Sequence, residues 1–164
     1  MIETERLILR VHEPQDLDAY AAFRTELAGE RFRRDTNWTR LLRSSGHHHL
    51  FGFGNFLAFD RTTGDLVGEA GFNYFKRDIG PDFDDAPEAM WMIRKTDQGK
   101  GFATEAMQSI VAWFDATIDI NRTVAMVDAP NKPSLRLAER LGYHPYRETT
   151  FDEKLMILLE RVGD

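Results

Sequence analysis

The 164-residue chain contains no cysteine. Disulfides, cysteine-ligated zinc and every mechanism built on a cysteine nucleophile are thereby excluded. Long hydrophobic runs are also missing. The longest, such as Ile110–Phe114, fall far below the roughly 18 residues that a spanning helix needs, so no membrane partner is expected. No strongly basic tract occurs and the formal net charge is −6, which argues against general nucleic-acid binding. The opening Met-Ile-Glu-Thr-Glu-Arg is acidic where a secretory signal would be basic and then apolar, so a cytoplasmic location is expected. Neither a Gly-x-Ser-x-Gly nucleophile elbow nor a His-Glu-x-x-His metal pair is present.

What is present suffices for a core. Hydrophobic residues make up 42% of the chain, including 12 Phe, 4 Tyr and 3 Trp, and the length fits one domain over residues 1–164. Strand-like and helix-like segments alternate in an α/β or α+β order. Glu5–Val11 predicts a first strand, and Leu17, Tyr20, Ala21, Phe23 and Leu27 mark an amphipathic helix. Residues 30–54, rich in arginine and histidine, suggest a short helix near Thr39–Ser44 followed by a mobile loop. Phe56–Phe59 and Leu66–Tyr74 flank a Gly-containing turn; Lys76–Pro87 is a polar loop, and Glu88–Arg94 a further strand. A helix with the stripe Ala106, Met107, Ile110, Val111 and Phe114 follows, then a strand at Thr123–Val127. A helix runs from Pro133 to the stop at Gly142, and Tyr143–Glu148 and Leu155–Val162 are strands.

The strongest local signal lies between the strand at 88–94 and the helix after it. Gly99 and Gly101 let backbone N–H groups approach a ligand closely, the helix N-terminus adds partial positive charge, and Lys100 adds a full one. Together they suit a phosphate or pyrophosphate. A plain strand-to-helix turn reads the same way. The Gly-x-x-x-x-Gly-Lys-Ser/Thr loop of nucleotide hydrolases and the Gly-x-Gly-x-x-Gly of dinucleotide folds are both absent, since Phe102, Ala103 and Thr104 follow Gly101.

Gln98-Gly99-Lys100-Gly101-Phe102-Ala103 resembles the Gln/Arg-x-x-Gly-x-Gly/Ala motif with which GNAT acetyltransferases hold the pyrophosphate of acetyl-CoA. Its surroundings extend the likeness. Glu88–Ile93 looks like the fourth strand of that family, and Thr104-Glu105-Ala106 like the helix start of its RimJ/RimL branch. Asn131-Lys132-Pro133-Ser134, with Leu141-Gly142-Tyr143, resembles the Asn-x-x-Ser and Leu-Gly-Phe/Tyr signature of that branch. Glu3–Arg10 and Gly68-Glu69-Ala70-Gly71 are similar to it as well. The resemblance implies a mixed, strongly twisted sheet whose strands 88–94 and 122–128 splay apart, with helices flanking it and acetyl-CoA in the cleft. Backbone groups of Met92 and Ile93 would pair with the pantetheine arm. The loop Gln98, Gly99, Lys100, Gly101, Phe102, Ala103 and Thr104 would hold the pyrophosphate, and Asn131 and Ser134 would close the far side. It implies no metal, and an amine acceptor on a protein N-terminus or a small molecule, in a monomer or homodimer.

Acetyl transfer needs a free amine, yet a lysine-like amine has a pKa near 10.4 and is about one part in a thousand unprotonated at pH 7, a handicap of roughly 4–5 kcal/mol. A carboxylate, directly or through water, can take the proton. Glu88 matches a position the family uses for this, and Glu69 on the neighbouring strand is the second candidate; a solvated strand-end glutamate is the bland alternative for either. The family's usual acid is a tyrosine seven residues after the asparagine, and Ala138 stands there. Ser134 is the branch's substitute for stabilising the departing thiolate, with helix capping or cofactor binding as its alternative role. A non-catalytic acyl-CoA sensor and an ATP-binding domain are rival readings. His47-His48-His49 point apart in any regular element and read as an exposed loop near a substrate entrance rather than a metal site. The aspartates at 78, 82, 84 and 85 read as a solvated loop or as an attractor for a cationic amine. The arginines at 31, 33, 34, 40 and 43 read as surface or as phosphate or RNA contacts, and Trp38 as acceptor-pocket lining or core.

Overall fold

The computed structural model describes residues 1–29 and 32–163; Arg31 of the arginine-rich segment lies outside them. The elements run β1 (Ile2–Glu3), β2 (Leu7–Arg10), α1 (Leu17–Ala28), α2 (Arg34–Phe51), β3 (Asn55–Asp60), β4 (Leu66–Asn73), α3 (Pro81–Asp84), β5 (Glu88–Ile93), α4 (Phe102–Thr117), β6 (Arg122–Asp128), α5 (Lys132–Arg140), β7 (His144–Phe151) and β8 (Lys154–Val162). The strands form one mixed sheet in the order β1-β2-β3-β4-β5-β6-β8-β7. Only β5 and β6 are parallel, and α4 makes the crossover between them, as a parallel pair requires.

Side-chain alternation sorts the core onto the two faces of the sheet. Phe56 and Ala58 of β3 join the main cluster with Met107, Ile110 and Phe114 of α4, with Leu137 and Ala138 of α5, and with Leu141 just after it. Leu57, between them, turns the other way and packs with Tyr20 and Phe23 of α1. The α4 stripe read from the sequence, Ala106 to Phe114, is buried throughout, and Phe102 joins it. Each such large side chain contributes about 1.5–3 kcal/mol by leaving water. α5 begins where the Asn131 side chain accepts the Ser134 N–H at 3.2 Å, with Pro133 in the first turn.

The segment 34–51 departs from expectation. In place of a short helix and a loop, an 18-residue helix runs to Gly52, whose left-handed φ of 75° and N–H bond to the His48 carbonyl stop it. The histidines are therefore helical. His47 donates from Nδ1 to the Phe53 carbonyl at 2.8 Å and accepts the Tyr74 N–H on Nε2 at 3.1 Å. His48 bonds the Asn55 carbonyl through Nε2 at 2.9 Å. Burial holds the His47 pKa below its ordinary value and that of His48 down to about 4, so both are neutral ties between α2 and the sheet. His49 is exposed.

The loop before β5 is likewise more ordered than a polar linker. It contains α3, and Asp84 accepts the N–H groups of Arg77, Ile79 and Gly80 at 2.6–2.8 Å. Asp82 meets Tyr146 and Arg147, and Asp85 meets Lys76. Trp38 is 36% exposed, away from the core.

Candidate active site

The geometry of the site follows from how little β5 and β6 pair. Their register contains only Glu88↔Val124 and Ala89↔Ala125, after which the strands diverge. On the other edge β5 stays paired with β4 through Ile93. The Arg94 N–H donates to the Val67 carbonyl at 2.8 Å, so strand alternation turns the Met92 backbone toward β4 as well. Trp91 and Ile93 face the gap. The sequence reading of paired Met92 and Ile93 backbone groups thus shifts by one residue for the first of them, because the strand period is two. The Ile93 carbonyl is occupied by Gln98 Nε2 at 3.1 Å, which ties the loop to the strand.

Beyond β5 the chain makes a turn at Lys95–Asp97 and enters the glycine loop. Asp97 accepts from Arg94 Nε at 2.5 Å and from Lys100 Nζ at 2.8 Å. Burial pushes its carboxyl up, but Lys100 and Arg94 outweigh this and leave it below the usual carboxylate range. Lys100 is thus turned toward Asp97 and is not among the residues that line the groove. Gly99 and Gly101 sit at φ 78° and 86°, where other residues are strained, and Gly101 directly precedes α4. Arg6 buttresses this loop from outside: Nη1 donates to the Lys100 carbonyl at 2.9 Å and Nε to Glu105 at 2.6 Å. The carboxylate in the first turn of α4 is therefore neutralised by the N-terminal segment.

A groove of about 590 Å³ follows, lined by Trp91–Ile93, Asp97–Gly99, Gly101–Thr104 and the α5 face with Asn131, Ser134, Arg136 and Arg140. The first N–H groups of α4 open into it, as a helix start leaves them unpartnered. Arg136 and Arg140, four residues apart on α5, add cationic charge across from the glycine loop. The sequence offered a signal for them only in their i,i+4 spacing.

A second cavity, of about 490 Å³, lies on the far side of the splay, between α1, α2 and the ends of β4–β6. Trp91, Met92, Asn131 and Ser134 line both spaces. At their junction Trp91 Nε1 donates to Ser134 Oγ at 3.2 Å. Because that oxygen accepts, the Ser134 hydroxyl proton is free to be donated into the cleft. Ala138, where the resemblance implied a tyrosine acid, is fully buried.

The two glutamates differ. Glu88 lines the second cavity and is gripped by Arg77, Nε to Oε2 at 2.7 Å and Nη2 to Oε1 at 2.9 Å. Burial nevertheless pushes its carboxyl above the ordinary value, against the pull of Arg77. Glu69 is buried within a network: Oε1 meets His12 Nε2 at 3.1 Å and Asn55 Nδ2 at 3.3 Å, and Oε2 accepts the Tyr20 hydroxyl at 3.2 Å. Burial raises its carboxyl too, but His12, Arg24 and Asn55 prevail and hold it below the usual range. Trp38 does not line this cavity, whereas Arg40 and Arg43 do.

The model of one protein family, an acetyltransferase (GNAT) domain, matches residues 6–144. The chain belongs to the GNAT acetyltransferases. The enzyme shares 38% identity with a Bordetella pertussis protein assigned to the GnaT acetyltransferase family, over 98% of each chain and with a TM-score of 0.94. It is 26% identical over 147 residues to the uncharacterized N-acetyltransferase p20 of Bacillus licheniformis, covering 85% of this chain and 80% of that protein. The fold also matches RimL, a ribosomal L7/L12 alpha-N-protein acetyltransferase in complex with coenzyme A, at a TM-score of 0.81 and 16% identity over 98% of this chain and 96% of that one. The sheet with splayed strands, expected from the sequence, is the architecture found. GNAT acetyltransferases draw their acetyl group from acetyl-CoA. No described helix is long and apolar enough to cross a membrane.

Proposed function

We propose that the enzyme transfers the acetyl group of acetyl-CoA to a primary amine by direct attack in a ternary complex. The observation that carries this reading is the meeting of two cavities at Trp91 and Ser134. A pantetheine arm entering along the open edge of β5 reaches the junction from one side, and an amine reaches it from the other. The N–H groups of Trp91 and Ile93 pair with the arm, the Gly99–Thr104 segment with Arg136 and Arg140 holds the phosphates, and Asn131 orients α5. Gln98 acts by holding the Ile93 carbonyl rather than by touching the cofactor.

The amine nitrogen attacks the thioester carbon, the C–S bond breaks, and the proton lost by nitrogen leaves through Glu88, directly or by way of a water. Glu88 is the better base of the two because burial makes its carboxylate more basic, while Glu69 is saturated with donors and less basic than usual. Glu69 instead fixes Tyr20 and Arg24 at the cavity wall. The Ser134 hydroxyl donates a hydrogen bond to the sulfur as charge develops on it.

The buried Ala138 favours a second reading, an acyl-CoA sensor without turnover. Thermal-shift titration with acetyl-CoA, CoA and ATP, followed by thiol release with a panel of amines, separates the readings. Stabilisation by acetyl-CoA and CoA with amine-dependent thiol release supports transfer. Stabilisation without release supports a sensor, and stabilisation by ATP alone refutes both. The chain's lack of cysteine leaves no protein thiol to interfere with that assay.

A further inference from the structure

The wall of the second cavity contributed by α1 and α2 carries three arginines, Arg24, Arg40 and Arg43. Their partners within the protein are few. Arg24 Nη1 is 3.9 Å from Glu69 Oε2 and 3.3 Å from Met92 Sδ, and its Nε is buried with no hydrogen-bond partner among the described residues. The Arg40 guanidinium stacks on Phe32 at 4.2 Å, and its Nη1 is likewise buried and unpartnered. Arg43 makes no ion pair among the described residues. Glu69, 3.9 Å from Arg24, already receives His12, Asn55 and Tyr20. Burial, with the neighbouring charges of Arg24 and Arg43, makes Arg40 less basic than an ordinary arginine, so the three cations repel one another.

The buried, unpartnered donors of Arg24 and Arg40 are costly unless an anion completes them, and Arg43 adds a further cation at the mouth. Their planar, forked donors fit carboxylate and phosphate oxygens. Glu88 and Asp128 line the same cavity as Trp91 and Ser134 of the junction. Glu88 is paired with Arg77, whereas Arg24 and Arg40 of the α1–α2 wall keep unfilled donors. The cavity volume of about 490 Å³ is that of a small-molecule site. We propose that the acceptor is a small amine that also carries a carboxylate or phosphate, with the anion held by Arg24, Arg40 and Arg43 and the amine turned toward Glu88. The proposal rests on the ternary-complex reading. Of the arginine-rich segment, read in the sequence as surface or as phosphate or RNA contacts, Arg40 and Arg43 line this cavity.

The test uses two matched pairs of acceptors, O-phosphoethanolamine against ethanolamine and β-alanine against its amide, with thiol release as the readout. A charge-assisted hydrogen bond lost in a buried setting corresponds to about 10- to 150-fold, so the anionic member of at least one pair should exceed its neutral partner in kcat/KM by 10-fold or more. Which pair responds tells phosphate from carboxylate. Arg40→Gln should erase that preference by raising KM for the anionic amine, while leaving acetyl-CoA affinity as it was. Arg43→Gln, at an exposed position, provides the same comparison in case Arg40→Gln does not fold. Neutral amines equal to their anionic partners in both pairs would overturn the proposal. If no amine is acetylated, the ternary-complex reading fails instead. Calorimetric titration of O-phosphoethanolamine and β-alanine into the acetyl-CoA-saturated protein then decides the anion site separately. Binding that Arg40→Gln or Arg43→Gln abolishes sustains it, and absence of binding ends it.

Discussion

Replacing Arg77 with methionine isolates the balance that sets the basicity of Glu88. In the native enzyme burial raises that carboxyl and the two-point grip of Arg77, at 2.7 and 2.9 Å, lowers it, with burial prevailing. An opposite charge at this distance is worth about 1–3 pK units, so its removal should raise the Glu88 pKa further by that amount. Methionine keeps apolar bulk against Phe75 and Phe151, on whose rings Arg77 now rests. Two consequences follow with definite sign. First, if Glu88 takes the amine proton, the acidic limb of the kcat/KM profile should move to higher pH by about 1–3 units. The acceptor's own ionisation is common to both proteins and cancels in their ratio. Second, a carboxyl whose folded pKa lies above its unfolded value binds its proton more tightly in the folded state. Its stabilising contribution is present below the unfolded pKa and is lost as pH rises through the folded one. Arg77→Met should therefore lose about 1.4–4 kcal/mol more stability at pH 8 than at pH 4.5, at 1.36 kcal/mol per pK unit. Denaturant melts at the two pH values measure this. A folded Arg77→Met enzyme whose acidic limb coincides with the wild type would refute Glu88 as the base.

Gly101→Val places a branched side chain at φ 86° with its Cβ 3.3 Å from the Arg6 guanidinium, so it should lower stability and weaken acetyl-CoA binding at least tenfold by calorimetry on protein that remains folded. Ser134→Ala removes the hydroxyl donor at the junction and should reduce turnover at saturating acetyl-CoA about 5- to 150-fold, with a smaller change in cofactor affinity; unchanged turnover would restrict Ser134 to capping and binding. His48, with a folded pKa depressed to about 4, takes up its proton more readily when unfolded. Its contribution is intact above about pH 6.5 and is lost as pH falls toward 4, so melting temperature should drop across that window and His48→Gln should flatten the drop.

The elements around the glycine loop were legible in the chain because they are local. A strand, two glycines and an amphipathic helix are contiguous from residue 88 to 117, and the Asn131 cap lies within three residues of Ser134. Helix α2 escaped because its inward stripe is polar. Asn37, Leu41, Ser44 and His47 recur at helical spacing and are buried, but only Leu41 registers as apolar, and Gly46 interrupts the remainder. A search for periodic burial by any small or polar residue, closed by Gly52, was the available signal. Of the second cavity, Glu88 and the arginines at 40 and 43 stood out in the sequence, but not their assembly. Arg24, Arg40, Arg77 and Glu88 come from α1, α2, the loop before β5 and β5 itself, and only the folded sheet brings them around one cavity. Glu69, read as a second candidate base or a solvated strand-end glutamate, is instead buried, and its partners His12 and Tyr20 are 57 and 49 residues away.

Amide hydrogen exchange with and without acetyl-CoA is the most direct measurement of where the donor lies. Backbone N–H groups of Trp91 and Ile93 have no strand partner across the gap, and those at the start of α4 have none within the helix, so they should exchange readily in the free protein. Saturating acetyl-CoA should slow exchange in residues 90–94 and 98–105 and at the start of α5, and leave β7 and β8 unchanged. Protection confined to other segments, or none at 90–94 despite tight binding, would contradict a cofactor laid along the open edge of β5.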